Sequence, residues 1–403
     1  VVASAANQDG ALSKSSAAAG SRVALPRAHA VNSAMLEAAA LLQLPIARNQ
    51  GGRELPPPLE AIPAKWAALY GDVADFRPTG RGGFSDVYVV RRGEVPTCAL
   101  KVLRDPDSLD FRREVSIMRE LRDCRFFIRY FDSVEMGEPG WEGGKDMILM
   151  EAGDMTVFDA IERFGPLYEA QAIEVTIDLL CGLQVVDARG FVYRDVKPEN
   201  ILVTLNYVKF GDLGGACTPG AHSPYPCEGY FGTLMFSSPQ MWEEMTRQGV
   251  FQTSHITQTH KDDIFALGIT LMFMVSGGKV PKEVQYIEEL LGDTETPHGE
   301  KVLALRAVWD DFDITSEPLL AEMPPATQVL LTKMLSASTH TRCTATECLE
   351  FVADVALSGS VFSTEDRKQA SQCVGASKKR PLLFGGVEPR ASKRLKLNEG
   401  FPA

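Results

Sequence analysis

Asp195, Lys197 and Asn200 stand close together in Tyr193-Arg194-Asp195-Val196-Lys197-Pro198-Glu199-Asn200-Ile201-Leu202. An Asp with a Lys two places on and an Asn five places on can surround one reacting centre. Together they supply a proton acceptor, a phosphate-neutralising cation and a metal ligand. Asp212-Leu213-Gly214 follows, offering a second oxygen ligand for Mg²⁺ on a turn freed by glycine. Upstream, Gly80-Arg81-Gly82-Gly83-Phe84-Ser85 places glycines where a backbone could approach a polyphosphate and bind it through N–H groups. Ser85 stands where a third glycine would complete G-x-G-x-x-G, and a strand-like run follows where a dinucleotide site would open a helix. Lys101, in Cys98-Ala99-Leu100-Lys101, is flanked by apolar residues and needs an acidic partner if buried. Glu114, at the head of the stripe Val115, Met118 and Leu121, is the first plausible one.

These groups need elements to hold them. Residues 84–103 alternate β-branched and aromatic residues around Arg91-Arg92-Gly93-Glu94, the pattern of a hairpin. Phe111–Arg122 has helical spacing, and after about residue 150 the helical stretches Val157–Phe164, Glu169–Ala188 and Lys261–Ser276 dominate. Short strands are expected at 201–203 and 207–210, so the Asp195 loop lies between a helix and a strand. The arrangement is α+β and bilobal, a small β-rich part followed by a larger helical part. We divide the chain into an Ala/Ser-rich extension (1–65), a strand-rich lobe (66–150), a helical lobe (151–357) and a basic tail (358–403). Within the extension, Ser33–Leu44 could form one short helix, and the rest, ending in the Pro56–Pro63 stretch, reads as mobile linker.

Composition narrows the function classes. With 41 Lys+Arg against 53 Asp+Glu, the net charge of −12 argues against a nucleic-acid footprint over the body of the chain. The longest apolar run, Phe265–Val275, is about half of a membrane span, so no transmembrane segment is expected. Eight cysteines without a C-x-x-C pair are too sparse for a disulfide scaffold and support no zinc site, which leaves reduced, mostly buried thiols as the expectation.

The motif set resembles that of eukaryotic-type protein kinases over roughly residues 66–357. The resemblance implies ATP and Mg²⁺ as cofactors and protein Ser/Thr hydroxyls as acceptors. Gly80 and Gly82 would cover the phosphates, and Val87, Ala99 and Leu202 would enclose the adenine. Lys101, tethered by Glu114, would hold the α- and β-phosphates. Met150 would be the gatekeeper, with the backbone of Glu151 and Gly153 meeting the purine. Asp195 would accept the hydroxyl proton, Lys197 would neutralise the γ-phosphate, and Asn200 and Asp212 would hold magnesium. Asp263 would orient the catalytic loop. Thr233, after Gly232, would contact Asp195 and Lys197, as in Ser/Thr kinases. Arg194 could read a phosphate on Thr218, Ser223, Tyr225, Tyr230 or Thr233.

Departures from the family pattern are Tyr193 for His, Leu213 for Phe, and Ser238-Pro239-Gln240 for Ala-Pro-Glu. The last leaves Arg342 a neutral partner where Glu is usual. A pseudokinase scaffold is the rival reading, disfavoured by the presence of Lys101, Asp195 and Asp212; a small-molecule kinase is disfavoured by Gly232-Thr233 and Arg342. The Ala-rich extension and Ser238-Pro239-Gln240 are also reminiscent of secreted rhoptry-type kinases of coccidian parasites, and in a secreted chain Cys217 and Cys227 could pair. In the tail, Lys378-Lys379-Arg380 and Lys393-Arg394-Leu395-Lys396 resemble a bipartite nuclear import signal, which implies an import receptor as partner; the alternative is a solvated tail docked on the acidic body.

Overall fold

The computed structural model describes residues 55–357 apart from 83, 93–94, 105–107, 205–206, 220–225, 228, 247–255, 294–297 and 310–311. The helix expected at Ser33–Leu44 and the basic tail lie outside the described residues. A short helix α1 (Ala64–Tyr70) leads into β1 (Arg77–Arg81), β2 (Ser85–Arg92) and β3 (Val95–Leu103), then α2 (Ser108–Glu120), β4 (Tyr130–Val134) and β5 (Met147–Met150). These strands form one antiparallel sheet in the order β1-β2-β3-β5-β4. The expected hairpin is β2–β3. The glycine-rich turn belongs to a second hairpin, β1–β2, whose first strand (Arg-Pro-Thr-Gly-Arg) has no buried residue and so no apolar period to announce it.

Register decides which residues meet. Val87 pairs with Lys101, Val89 with Ala99, Ala99 with Met150 and Lys101 with Ile148, so these side chains share one sheet face by the two-residue period of a strand. Ile148 on this face and Val115, Met118 and Leu121 of α2 belong to the main core. The opposite face carries Tyr88, Val90, Cys98, Leu100, Val102, Met147 and Leu149, which form a second cluster with Trp66.

That second cluster corrects the reading of the extension as linker to its end. Leu59 and Ile62 pack against it, the Tyr88 hydroxyl donates to the Pro57 carbonyl at 2.9 Å, and Trp66 is 1% exposed. The Trp66 indole N–H donates to Asp132 Oδ2 at 2.7 Å, and Lys65 Nζ lies 2.8 Å from the same oxygen. Burial works against the Asp132 carboxylate, but these two partners hold it below its usual range. Truncating a buried Trp of this kind costs about 3–5 kcal/mol.

The remainder is helical: β6 (Met155–Thr156), α3 (Val157–Phe164), α4 (Glu169–Ala188), β7 (Ile201–Val203), β8 (Val208–Phe210), α5 (Pro239–Thr246), α6 (His260–Ser276), α7 (Lys282–Gly292), α8 (His298–Ala307), α9 (Pro318–Ala321), α10 (Pro325–Met334) and α11 (Ala345–Leu357). Strands β6-β7-β8 make a small antiparallel sheet beside the Asp195 loop. Helix α6 is buried along almost its whole length, starts in a capping box between Thr259 and Asp262, and stops at Gly277, whose φ of 76° suits a residue without Cβ. No helix among the described residues is long and apolar enough to cross a membrane.

Among the described residues Cys217 pairs with Cys227, the pairing the sequence left open, and Cys343 pairs with Cys348, which corrects the expectation of reduced thiols at these positions. The spacing of these cysteines gives no sign of it.

Candidate active site

Lys101 projects from the cleft face of β3 and is 6% exposed. Its ammonium donates to Glu114 Oε1 at 2.6 Å, to Glu114 Oε2 at 2.8 Å and to Asp212 Oδ1 at 2.8 Å. Burial lowers an ammonium's affinity for its proton, yet the two carboxylates more than offset this and push Lys101 above its ordinary value. Burial raises the Glu114 carboxyl, whereas Lys101 holds Asp212, which is half exposed at its side chain, below the usual range. Gly214 completes the group. Its N–H donates to Asp212 Oδ1 at 2.9 Å, and a Cβ there would lie 3.1 Å from that oxygen and 3.4 Å from Lys101 Nζ. Arg113, which the sequence did not single out, donates to the Gly214 carbonyl at 2.8 Å and so ties α2 to the same turn.

The second group lies on the loop after α4. Lys197 Nζ is 2.8 Å from Asp195 Oδ2 and donates to Thr233 Oγ1 at 2.6 Å; that hydroxyl donates to Asp195 Oδ1 at 2.9 Å. Asn200 Nδ2 donates to Asp195 Oδ2 at 2.7 Å and to the Asp195 carbonyl at 2.9 Å, which leaves the amide oxygen of Asn200 as its remaining polar atom. The loop itself hangs on Asp263, 2% exposed, whose carboxylate accepts the N–H of Tyr193 at 2.9 Å and of Arg194 at 2.7 Å. Burial pushes the Asp263 carboxyl up to about 7, against the pull of those two N–H groups. Arg194 adopts φ 73°, the left-handed region that a residue with Cβ enters only under constraint.

The spine departures are accommodated in the core. Tyr193 is fully buried, its ring 4.7 Å from Phe210 and 6.5 Å from Phe127, and Leu213, Met118 and Tyr130 lie in the same cluster. The Tyr193 hydroxyl has no hydrogen-bond partner among the described residues, and burial raises it well above a phenol's ordinary value. Arg342, 1% exposed, donates to Gln240 Oε1 at 2.6 Å, Ser336 O at 3.0 Å and Lys261 O at 3.0 Å, and meets Asp262 Oδ1 at 3.4 Å. Asp262 supplies the carboxylate that Gln240 lacks.

At the other end of the cleft, β5 runs out at Met150 and Glu151 follows. The Glu151 N–H donates to the Arg129 carbonyl at 2.9 Å. Its carboxylate takes Lys209 Nζ at 2.6 and 2.8 Å and the Arg129 N–H at 3.1 Å. Lys209, buried in β8, was not anticipated, although it carries the signal that marks Lys101: a lysine between apolar residues in a short strand. A Cβ on Gly153 would lie 2.9 Å from Leu202 Cβ, so glycine permits that close approach. The structure therefore puts Val87, Ala99 and Lys101 on one sheet face and Leu202 against Gly153. Gly80 lies in β1 opposite Val87, and Gly82 lies in the β1–β2 turn, where its N–H closes on Ser85 O at 2.8 Å. Asn200 and Asp212 come from adjoining backbone, as the Gly211 N–H donates to Asn200 O at 2.8 Å. Carboxylate and amide oxygens suit a hard cation such as Mg²⁺.

Comparison with known proteins agrees with this geometry. The protein kinase domain family matches residues 74–352, and the chain belongs to that family. Among its relatives, a probable serine/threonine-protein kinase PknB of Lactococcus lactis is 28% identical over 302 residues, 72% of this chain and 42% of the relative. A probable cAMP-dependent protein kinase catalytic subunit of Encephalitozoon cuniculi is 28% identical over 40% of this chain and 50% of its own length. The serine/threonine-protein kinase PknB of Mycobacterium tuberculosis is 30% identical over 51% of this chain and 33% of its own length. The chain thus spans half or less of the length of these curated relatives. None of the three is a coccidian rhoptry kinase, and the likeness of the extension to that group finds no support in them.

Proposed function

We propose that the chain transfers the γ-phosphate of ATP to serine or threonine hydroxyls of protein substrates. The observation that carries this reading is the seat of the Thr233 hydroxyl, 2.9 Å from Asp195 Oδ1 and 2.6 Å from Lys197 Nζ. An aliphatic hydroxyl therefore fits between a carboxylate able to take its proton and a cation able to neutralise the phosphoryl group. In this reading Asp195 accepts the proton, Lys197 offsets charge on the transferred group, and Lys101, fixed by Glu114, orients the remaining phosphates. Val87, Ala99 and Leu202 enclose the base, the backbone of Glu151 and Gly153 meets its edge, and Gly80 and Gly82 cover the phosphates. Asn200 and Asp212 would hold Mg²⁺, which supplies charge neutralisation between the phosphate oxygens. The lobe division at residues 150 and 151 belongs to the same proposal.

Incubation with ATP, Mg²⁺ and a generic basic protein is the direct test. The wild type is expected to incorporate phosphate, and Asp195→Ala at least about 10²-fold less. Equal incorporation by both would leave only a kinase-shaped scaffold. For the tail we propose recognition by a nuclear import receptor through Lys378–Arg380 and Lys393–Lys396. Removing residues 378–403 is then expected to shift the protein from nucleus to cytoplasm with kinase activity intact. A truncated chain that stays nuclear would refute it.

A further inference from the structure

The Cys217–Cys227 disulfide ties together the two arms of the segment that leads from the Asp212-Leu213-Gly214 turn to Thr233. Arg194 grips the same two arms. It donates through Nε to the Gly215 carbonyl at 2.5 Å and through Nη1 to the Gly229 carbonyl at 3.2 Å. These acceptors stand two residues before Cys217 and two residues after Cys227, so the sulfur bond and the guanidinium close one loop at neighbouring points. The first arm is fixed further: the Ala216 N–H donates to the Leu213 carbonyl at 3.0 Å, and Cys217 exchanges backbone hydrogen bonds with Val192 at 2.8 and 3.1 Å. The second arm runs on to Thr233, whose hydroxyl holds Asp195 and Lys197.

The sequence offers Arg194 as a reader of phosphate on this segment, yet the side chain is 7% exposed and its donors go to those two carbonyls. A phosphate paired with Arg194 and a covalent tie beside it do the same work, which is to hold the arms together. We propose that Cys227 is a thiol-exchange site and that the Cys217–Cys227 disulfide is a redox switch, closed for phosphoryl transfer and open against it. The inference rests on the phosphotransfer reading above and adds its regulation. Without the bond, the closure across ten positions falls to Arg194, whose carbonyl partners belong to glycines, the residues with most freedom to move away. The reductant is a dithiol. Its thiolate attacks Cys227 Sγ, because Cys227 is half-buried whereas Cys217 is fully buried. The S–S bond breaks, and Cys217 leaves as a thiolate that takes up a proton. The second thiol then displaces Cys227 from the mixed disulfide, so two electrons pass from the dithiol, which departs as a cyclic disulfide.

The test measures kcat/KM on a generic basic protein with the full chain, oxidised with glutathione disulfide and then reduced with dithiothreitol. Alkylation of quenched samples, read by mass spectrometry, reports the state of Cys227. On reduction kcat/KM is expected to fall by at least about tenfold, in step with the appearance of a free Cys227 thiol, and to return on reoxidation. Cys217→Ala with Cys227→Ser is expected to hold the low value with or without dithiothreitol. Cys343→Ser with Cys348→Ser is expected to respond as the wild type does, and phosphatase treatment to leave the oxidised enzyme active. The inference is overturned by activity that persists while Cys227 titrates as a free thiol, or by a bond that dithiothreitol does not open. It is equally overturned if the Cys217/Cys227 variant keeps the wild-type thermal transition and full turnover, if that variant still responds to reductant, if the Cys343/Cys348 variant does not, or if phosphatase abolishes transfer. An oxidised wild type that incorporates no phosphate removes the phosphotransfer reading itself, whereas incorporation indifferent to redox state removes this inference alone.

Discussion

Lys101→Met is expected to lower phosphoryl transfer by at least about 10²-fold and to destabilise the fold at the same time. Both effects follow from where the ammonium sits. It bonds two carboxylates, and Glu114 is only 4% exposed, so removing the cation strands a buried acid. Breaking one side of such a pair costs about 3–5 kcal/mol. Burial already holds the Glu114 carboxyl high; without Lys101 it takes up a proton and limits the loss. Replacing the pair together, Lys101→Met with Glu114→Leu, is therefore expected to recover much of the stability while transfer stays lost. Urea midpoints and phosphate incorporation, measured on the wild type and both variants, separate the two roles. Turnover within a few-fold of wild type in Lys101→Met would mean that a different cation holds the phosphates.

The second large effect belongs to Asp263. Its loss in Asp263→Ala orphans two buried N–H groups, at about 1–3 kcal/mol each, and frees Arg194 from a left-handed conformation that costs about 1–3 kcal/mol to hold. The released strain offsets part of the lost bonding, so we expect about 1–3 kcal/mol of net destabilisation, and transfer reduced by about 10²-fold because Asp195, which follows Arg194, loses its placement. The pH dependence has a definite sign. With a folded-state pKa of about 7 against an ordinary 3.8, the native chain binds the proton more tightly than the unfolded chain. This contribution to stability is fully present below about pH 4 and is lost as pH rises through about 7. The stability gap between wild type and Asp263→Asn should accordingly narrow by about 2–3 kcal/mol from pH 5 to pH 8 in urea titrations. A gap that widens over that range would contradict the assignment.

The parts legible in the sequence are those whose signal is local. Asp195, Lys197 and Asn200 are carried on one loop, so their spacing alone brings them together. Lys101 is conspicuous as a cation in an apolar strand, and its partner lies on the next helix. Thr233 needed the family pattern, because nothing near it in sequence points to Asp195. Strand β1 escaped notice since it buries nothing. Lys65 and Trp66 were silent for another reason: Asp132, which both of them meet, is 66 residues beyond Trp66, and a proline-rich approach imitates a linker.

The strap from Pro57 to Trp66 has a consequence for what counts as the unit of folding. Family likeness begins at residue 74, yet the sheet face bearing Tyr88, Val90, Leu100 and Leu149 is closed by residues that precede it. A fragment trimmed to the family boundary would keep every group argued to handle phosphate and would uncover that apolar face. Exposed surface of this kind is a place where chains adhere to one another. The inherited catalytic pattern and the autonomous folding unit therefore have different edges in this protein, and the earlier edge is set by a tryptophan that takes no part in the chemistry.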